Sequence, residues 1–109
     1  MNDLIQRITN AIFRQEGMPS GYANPGNLRA APWLHSPVIF GGFWKPMSRQ
    51  QGVAGAAHVV ALHIAEGDSL EKLIGIWAPP SENNTGQYVK NVAGWAGVAD
   101  ASVPLYTLL

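Results

Sequence analysis

The sequence predicts a compact all-α fold of four or five helices, on three observations. Apolar residues recur at i, i+3, i+4 and i+7 in several separate stretches, the spacing of one helix face. Most of these stretches open on a capping pattern and close on Gly or Pro. The 109 residues are 47% apolar and only 13% charged, enough for one globular core and far from the composition of a disordered chain.

Asp3 with Gln6 forms a capping-box pattern, and Leu4, Ile5, Ile8, Ala11 and Ile12 then recur at helical spacing, so the first helix runs to about Gln15. Gly17 and Pro19 stop it. From Met18 to Pro37 the chain is rich in Gly, Pro, Asn and Ser with no sustained period, which predicts a long ordered loop of the kind that carries function. Val38 to Trp44, broken by Gly41 and Gly42, predicts a small β-hairpin or an irregular turn. Ser48 with Gln51 opens the next helix, and Val53, Ala56, Ala57, Val60, Ala61 and Ile64 carry it to Ala65 before Gly67. Its many alanines predict close packing and make it the expected central helix. Asp68 with Glu71 forms a third capping box for a helix through Leu70, Leu73, Ile74 and Trp77, ended by Pro79 and Pro80. Asn84 or Thr85 caps a fourth, whose stripe of Tyr88, Val89, Val92, Ala93 and Ala96 runs to Gly97. The tail from Val98 is expected as a turn at Asp100 or a packed extended arm.

Composition closes several functional routes. Seven Lys plus Arg balance seven Asp plus Glu with no basic run, which argues against nucleic-acid binding. The absence of cysteine removes disulfides, thiolate chemistry and Cys-based zinc sites. No apolar run approaches the ~20 residues of a membrane span. The first residues lack the basic, apolar and small-residue regions of a signal peptide, so none is expected. His58 and His63 lie five residues apart on one helix, off a shared face, and are read as core or edge residues with no metal expected. No triad serine, phosphate-cradling loop or dinucleotide fingerprint is present, and no cofactor is expected.

Two polar patches remain. The first is Glu16 with the loop Asn24-Pro25-Gly26-Asn27-Leu28-Arg29; the second is Trp77-Ala78-Pro79-Pro80-Ser81-Glu82-Asn83-Asn84-Thr85 with Tyr88. Glu16 ends a helix, where unpaired carbonyls carry partial negative charge, and burial beside aromatic rings would further disfavour its ionised form. A carboxyl with a raised pKa keeps its proton at neutral pH, which a general acid requires. The plain alternative is a solvated glutamate at a helix end. In the first loop, Pro25 fixes one dihedral, Gly26 permits positive φ, and the two asparagines either bond the local backbone or point outward. Arg29 is expected as a structural anchor. Glu82, Asn84 and Thr85 suit either a binding surface or a helix cap, and the Tyr88 phenol suits either the core or a hydrogen bond to a facing carboxyl. Trp77 and Trp95 are expected in the core, Trp33 and Trp44 as platforms for a flat ligand such as a sugar ring.

These motifs together resemble the small lysozyme-like domains of phages and bacteria, relatives of the soluble lytic transglycosylases and goose-type lysozymes. The resemblance rests on Glu16-Gly17, the Asn24 to Arg29 loop, the helix entered at Gly52, and the Trp77 to Tyr88 segment, and covers about residues 3 to 98. It implies a single lysozyme-like domain that cleaves peptidoglycan glycan strands between N-acetylmuramic acid and N-acetylglucosamine. It implies Glu16 as the catalytic acid and Tyr88 as the residue bonded to it. Asn24, Asn27, Trp33, Trp44, Glu82, Asn84 and Thr85 are then expected to bind substrate. Asn83 and Asn84 are inserted into the segment similar to the Glu-Thr-x-x-Tyr-Val stretch of transglycosylases, and Ala23 stands where relatives commonly carry Asn. A second carboxylate would have to be Glu82, the others being committed to helix ends. The expected partner is the glycan, the expected state a monomer without membrane insertion, made in the cytoplasm and acting on the cell wall after phage delivery or release through a holin. The alternative is a lysozyme-like module of a virion or secretion machine that has lost its chemistry.

Overall fold

The computed structural model describes residues 3–18, 23–28, 39–40, 43–46 and 48–109, and the fold is all-α. Helix α1 spans Asp3–Glu16, α2 Arg49–Ala65, α3 Leu70–Trp77 and α4 Thr85–Ala96, followed by a short 3₁₀ turn at Leu105–Leu108. A two-stranded antiparallel hairpin, β1 (Ile39–Phe40) and β2 (Phe43–Trp44), pairs Ile39 with Trp44 and Phe40 with Phe43.

Three of the helix starts carry the cap chemistry that frees no backbone donor to the interior. Ser48 accepts from the Gln51 N–H at 3.1 Å, Ser69 from the Lys72 N–H at 3.2 Å and Asn84 from the Gln87 N–H at 3.2 Å. The cap of α3 is therefore Ser69, one residue beyond the expected Asp68. Asp68 is drawn away because its carboxylate is buried, 2.7 Å from the His63 ring and 3.1 Å from the Lys72 ammonium. Asp3 likewise pairs with Arg7, at 2.9 Å, one turn along α1. Gly17 and Gly97 close α1 and α4 in the left-handed conformation that favours glycine.

The core joins Leu4, Ile8 and Ile12 of α1, Val60 and Ile64 of α2, Leu73 and Ile74 of α3, Val92 and Ala96 of α4, and Leu105 from the tail. A smaller cluster of Leu28, Ala56 and Val59 lies under the first loop, and Trp77 packs against both. The central helix is α1 and not α2, since α1 packs most extensively on α4 and also contacts α2. Ala56 of α2 packs with Leu28 under the first loop, and part of that helix, including Val53 and Leu62, is open to solvent. Trp95 is also no core residue; it is 41% exposed, with the Arg14 guanidinium 4.3 Å above its ring. The tail turns at Asp100, bonded to Ser102, and returns to the α2–α3 corner, where the Leu105 N–H meets the Asp68 carbonyl at 2.9 Å.

Asp68 thus ties α2, α3 and the tail together. The hydrogen bond from His63, opposed by burial and aided by Lys72, holds its carboxyl below the usual aspartate range. Asp68→Ala should cost about 2 kcal/mol by leaving His63 without its partner. Because the folded pKa lies below the unfolded value of about 3.9, this stabilisation is full above that pH and is lost as pH falls towards the folded value. Thermal unfolding across pH 2 to 7 should show the gap between wild type and variant closing in acid; a constant gap would deny the ionic origin.

Candidate active site

Helices α1 and α4 lie against each other so that the last residue of α1 meets the first turn of α4. There the Tyr88 hydroxyl donates to Glu16 Oε2 at 2.7 Å. Tyr88 is only 3% exposed, and Val92 and Ala96 continue its stripe into the core, so packing fixes the direction of its phenol. Beside this pair, the Asn91 amide donates to Gln15 Oε1 at 2.9 Å. The end of α1 is held to α4 by two side-chain bonds at successive residues.

The loop after α1 supplies the opposite wall. The Asn27 N–H donates to the Asn24 carbonyl at 2.9 Å, which closes a turn around Pro25 and Gly26. Positive φ falls on Asn27, at 51°, and not on Gly26 as the turn pattern suggests. Asparagine tolerates that conformation, and it carries the Asn27 side chain to a hydrogen bond with the Glu16 carboxyl. Gly26 is required for a different reason: a Cβ there would lie 2.9 Å from the Trp77 ring, whose Nε1–H donates to the Gly26 carbonyl at 2.8 Å. On the other side, a Cβ on Gly52 would fall 1.7 Å from the Ala23 carbonyl oxygen, so α2 and the loop touch backbone to backbone.

Glu16, Asn27, Phe43, Trp77, Ala78, Glu82 and Asn83 line a cleft of about 380 Å³. Burial raises the Glu16 pKa, and the hydrogen bonds from Tyr88 and Asn27, which favour the ionised form, offset this only in part. The dominant cause is removal from water. The Tyr88 phenol is pushed upward by its own burial and by the neighbouring carboxylate, so it stays a donor across the working pH range.

The expected site residues are divided by this geometry. Glu16 and Tyr88 meet, and Asn27 and Glu82 line the cleft. Asn24 is buried, its amide bonded at both ends to the Leu28 backbone at 3.0 Å, so it shapes the loop from within. Asn84 caps α4, and the Thr85 hydroxyl donates to the Ala78 carbonyl at 2.6 Å, which leaves both as supports of the second wall. Arg29, Trp33 and the side chain of Trp44 lie outside the described residues. Phe43, Trp77 and Asn83 are cleft residues that sequence reasoning did not select. For Trp77 the signal was available in its neighbours, since a tryptophan directly before Ala-Pro-Pro sits where a helix leaves the core. His63, Glu66 and Asp68 bring ligand-type atoms within 4.8 Å of one another, but the Asp68 carboxylate is already engaged by the His63 ring at 2.7 Å and the Lys72 ammonium at 3.1 Å.

Three variants check this geometry. Gly52→Ala should lower stability by about 2 kcal/mol and shift the Asn27 amide resonances, whereas Gly94→Ala, with open space around its Cβ on α4, should stabilise by about 0.5 to 1 kcal/mol. Equal effects on thermal unfolding would refute the close approach of α2 and the loop. Tyr88→Phe removes a bond that favours ionised Glu16, so the Glu16 pKa should rise further, which carboxyl-carbon NMR titration reads directly; a fall would reverse the assignment of causes. Compared with protein-family models, curated proteins and solved structures, the chain matches none.

Proposed function

We propose that the protein is lysozyme-like and cleaves the glycan strands of peptidoglycan between N-acetylmuramic acid and N-acetylglucosamine, as a muramidase or lytic transglycosylase. The observation that carries this reading is the Glu16 carboxyl: half-buried, raised in pKa, fixed by Tyr88 at 2.7 Å, and open to a cleft walled by aromatic rings and amides. A protonated carboxyl so placed donates its proton to the leaving glycosidic oxygen as the bond to the anomeric carbon breaks. The Tyr88 and Asn27 bonds then stabilise the carboxylate that remains, since each donor gains strength against a full charge. Trp77 and Phe43 offer apolar faces to sugar rings.

The positive charge developing on the sugar is quenched along one of two routes. Water activated by a second carboxylate leaves a reducing end; attack by the C6 hydroxyl of the muramyl residue leaves a 1,6-anhydro ring. Glu82 is the carboxylate that shares the cleft with Glu16. Geometry for a direct nucleophile would put the two groups about 5 to 5.5 Å apart, and for a water-activating base about 6.5 to 9.5 Å.

The experiment is mass spectrometry of soluble products from purified peptidoglycan treated with wild type, Glu16→Gln and Glu82→Gln. Glu16→Gln should lose at least a hundredfold in rate, the order a general acid supplies. Wild-type activity should fall as pH rises through the raised Glu16 pKa, because only the protonated form acts. Reducing ends that depend on Glu82 assign hydrolysis, and anhydro ends that persist without it assign the intramolecular route. A wild type that releases nothing where a control muramidase works sinks the enzyme reading in favour of an inactive module.

A further inference from the structure

One flank of α4 continues away from the cleft as a polar strip. Asn84, Gln87, Asn91 and Trp95 recur at i, i+3, i+7 and i+11, which aligns them beside the buried stripe of Tyr88, Val92 and Ala96. The strip begins one residue after Asn83, which lines the cleft, and Gln87 and Trp95 are exposed. Its amides are linked in series: Gln87 donates to Asn91 at 2.8 Å, and Asn91 donates to Gln15, the neighbour of Glu16, at 2.9 Å. That series uses the Gln87 NH₂ and the Gln15 carbonyl. An acceptor remains on Gln87 and a donor on Gln15, the complement of a peptide group.

At the far end, Arg14 stacks on the exposed Trp95 ring at 4.3 Å. Among the described residues no carboxylate is paired with it. Stacking orders the guanidinium plane while leaving its edge, with the forked N–H donors, free for a carboxylate. An exposed tryptophan carrying an arginine is an incomplete ion pair with half its geometry already set.

We infer that this flank is a subsite for an acidic peptide branch carried by the glycan, with a branch carboxylate bound by Arg14. The inference rests on the glycan reading of the cleft and names what else the substrate must carry. Seven residues separate Tyr88 from Trp95, about 10 Å of helix at 1.5 Å per residue. An extended peptide covers that distance in about three residues. A branch that starts at the sugar beside Glu16 therefore reaches Arg14 with its first few residues, and its peptide groups pass the Gln15, Asn91 and Gln87 amides on the way.

The test compares kcat/KM on peptide-bearing glycan and on the same glycan stripped of peptide by an amidase. Wild type should favour the peptide-bearing form, and Arg14→Gln should reduce that ratio about three- to fivefold, the scale of an exposed ion pair. An unchanged ratio, or an equal loss on both substrates, overturns the subsite. A second measurement needs no turnover: peptide-bearing disaccharide added to the Glu16→Gln protein should move the Trp95 indole N–H resonance, and peptide-free disaccharide should not. Equal shifts would make the flank a sugar site, and no shift would remove it. A Trp95 shift specific to the peptide, with wild type inert on both glycans, would keep the subsite and discard the enzyme reading.

Discussion

The constraint on which the site depends is the removal of the Glu16 carboxyl from water at the seam of α1 and α4. Ionisation there is disfavoured because part of the solvent that would stabilise the charge is displaced, and two hydrogen bonds compensate only partly. The seam can hold an awkward group because the rest of it is ordinary core. Leu4, Ile8 and Ile12 pack on Val92 and Ala96, and each fully buried side chain of this kind contributes roughly 1.5 to 3 kcal/mol. Tyr88 belongs to that core by its ring and to the site by its hydroxyl. The same packing that stabilises the domain therefore sets the position of the phenol, with no flexible segment between them.

The first loop is held against α2 and α3 by close approaches that only glycine permits. Gly52 admits the Ala23 carbonyl, and Gly26 admits the Trp77 ring. Asn24 fills the space beneath, bonded at both amide ends to Leu28. Asn27 is then held in a left-handed conformation with its side chain on Glu16. Trp77 links the two walls, since its indole N–H bonds one loop while its ring packs in both apolar clusters. Substrate would meet a surface fixed before it arrives, which lowers the cost of organising a transition state.

The helices were legible because their determinants are local. Period, cap and stop signal each act within a turn, so Ser48, Gly17, Pro79 with Pro80, and Gly97 mark boundaries wherever the rest of the chain lies. The contact of Glu16 with Tyr88 was legible only through the resemblance of their surrounding motifs, because nothing local joins residue 16 to residue 88. What failed was long-range. Asp68 resembles a cap by position, but a buried carboxylate goes to the stronger partners, His63 and Lys72, and leaves the cap to Ser69. Trp95 resembles a core residue by size, yet its place on α4 turns it onto the flank where Arg14 covers it. Gly26 was assigned a dihedral reason when its reason is a ring that arrives from 51 residues away. Asn24 and Thr85 carry polar groups suited to a ligand, and the backbone took them first.

The two carboxyls of the cleft stand in opposed surroundings. Glu16 is bonded to Tyr88 and Asn27 at the end of a packed helix, whereas Glu82 is exposed on the short turn where its own N–H bonds the Pro79 carbonyl at 3.0 Å. A group that must hold a proton until a bond breaks gains from a dry, rigid setting; a group that must take a proton from water gains from contact with water. The fold supplies both settings within one cleft, the drier one from the α1–α4 core, where Glu16 is half-buried, and the wetter one from the turn that precedes α4. Under the proposed chemistry the division of labour would follow from this difference in solvation. Exchanging the two roles would require unpacking the α1–α4 seam, because the properties of Glu16 come from the residues that bury it.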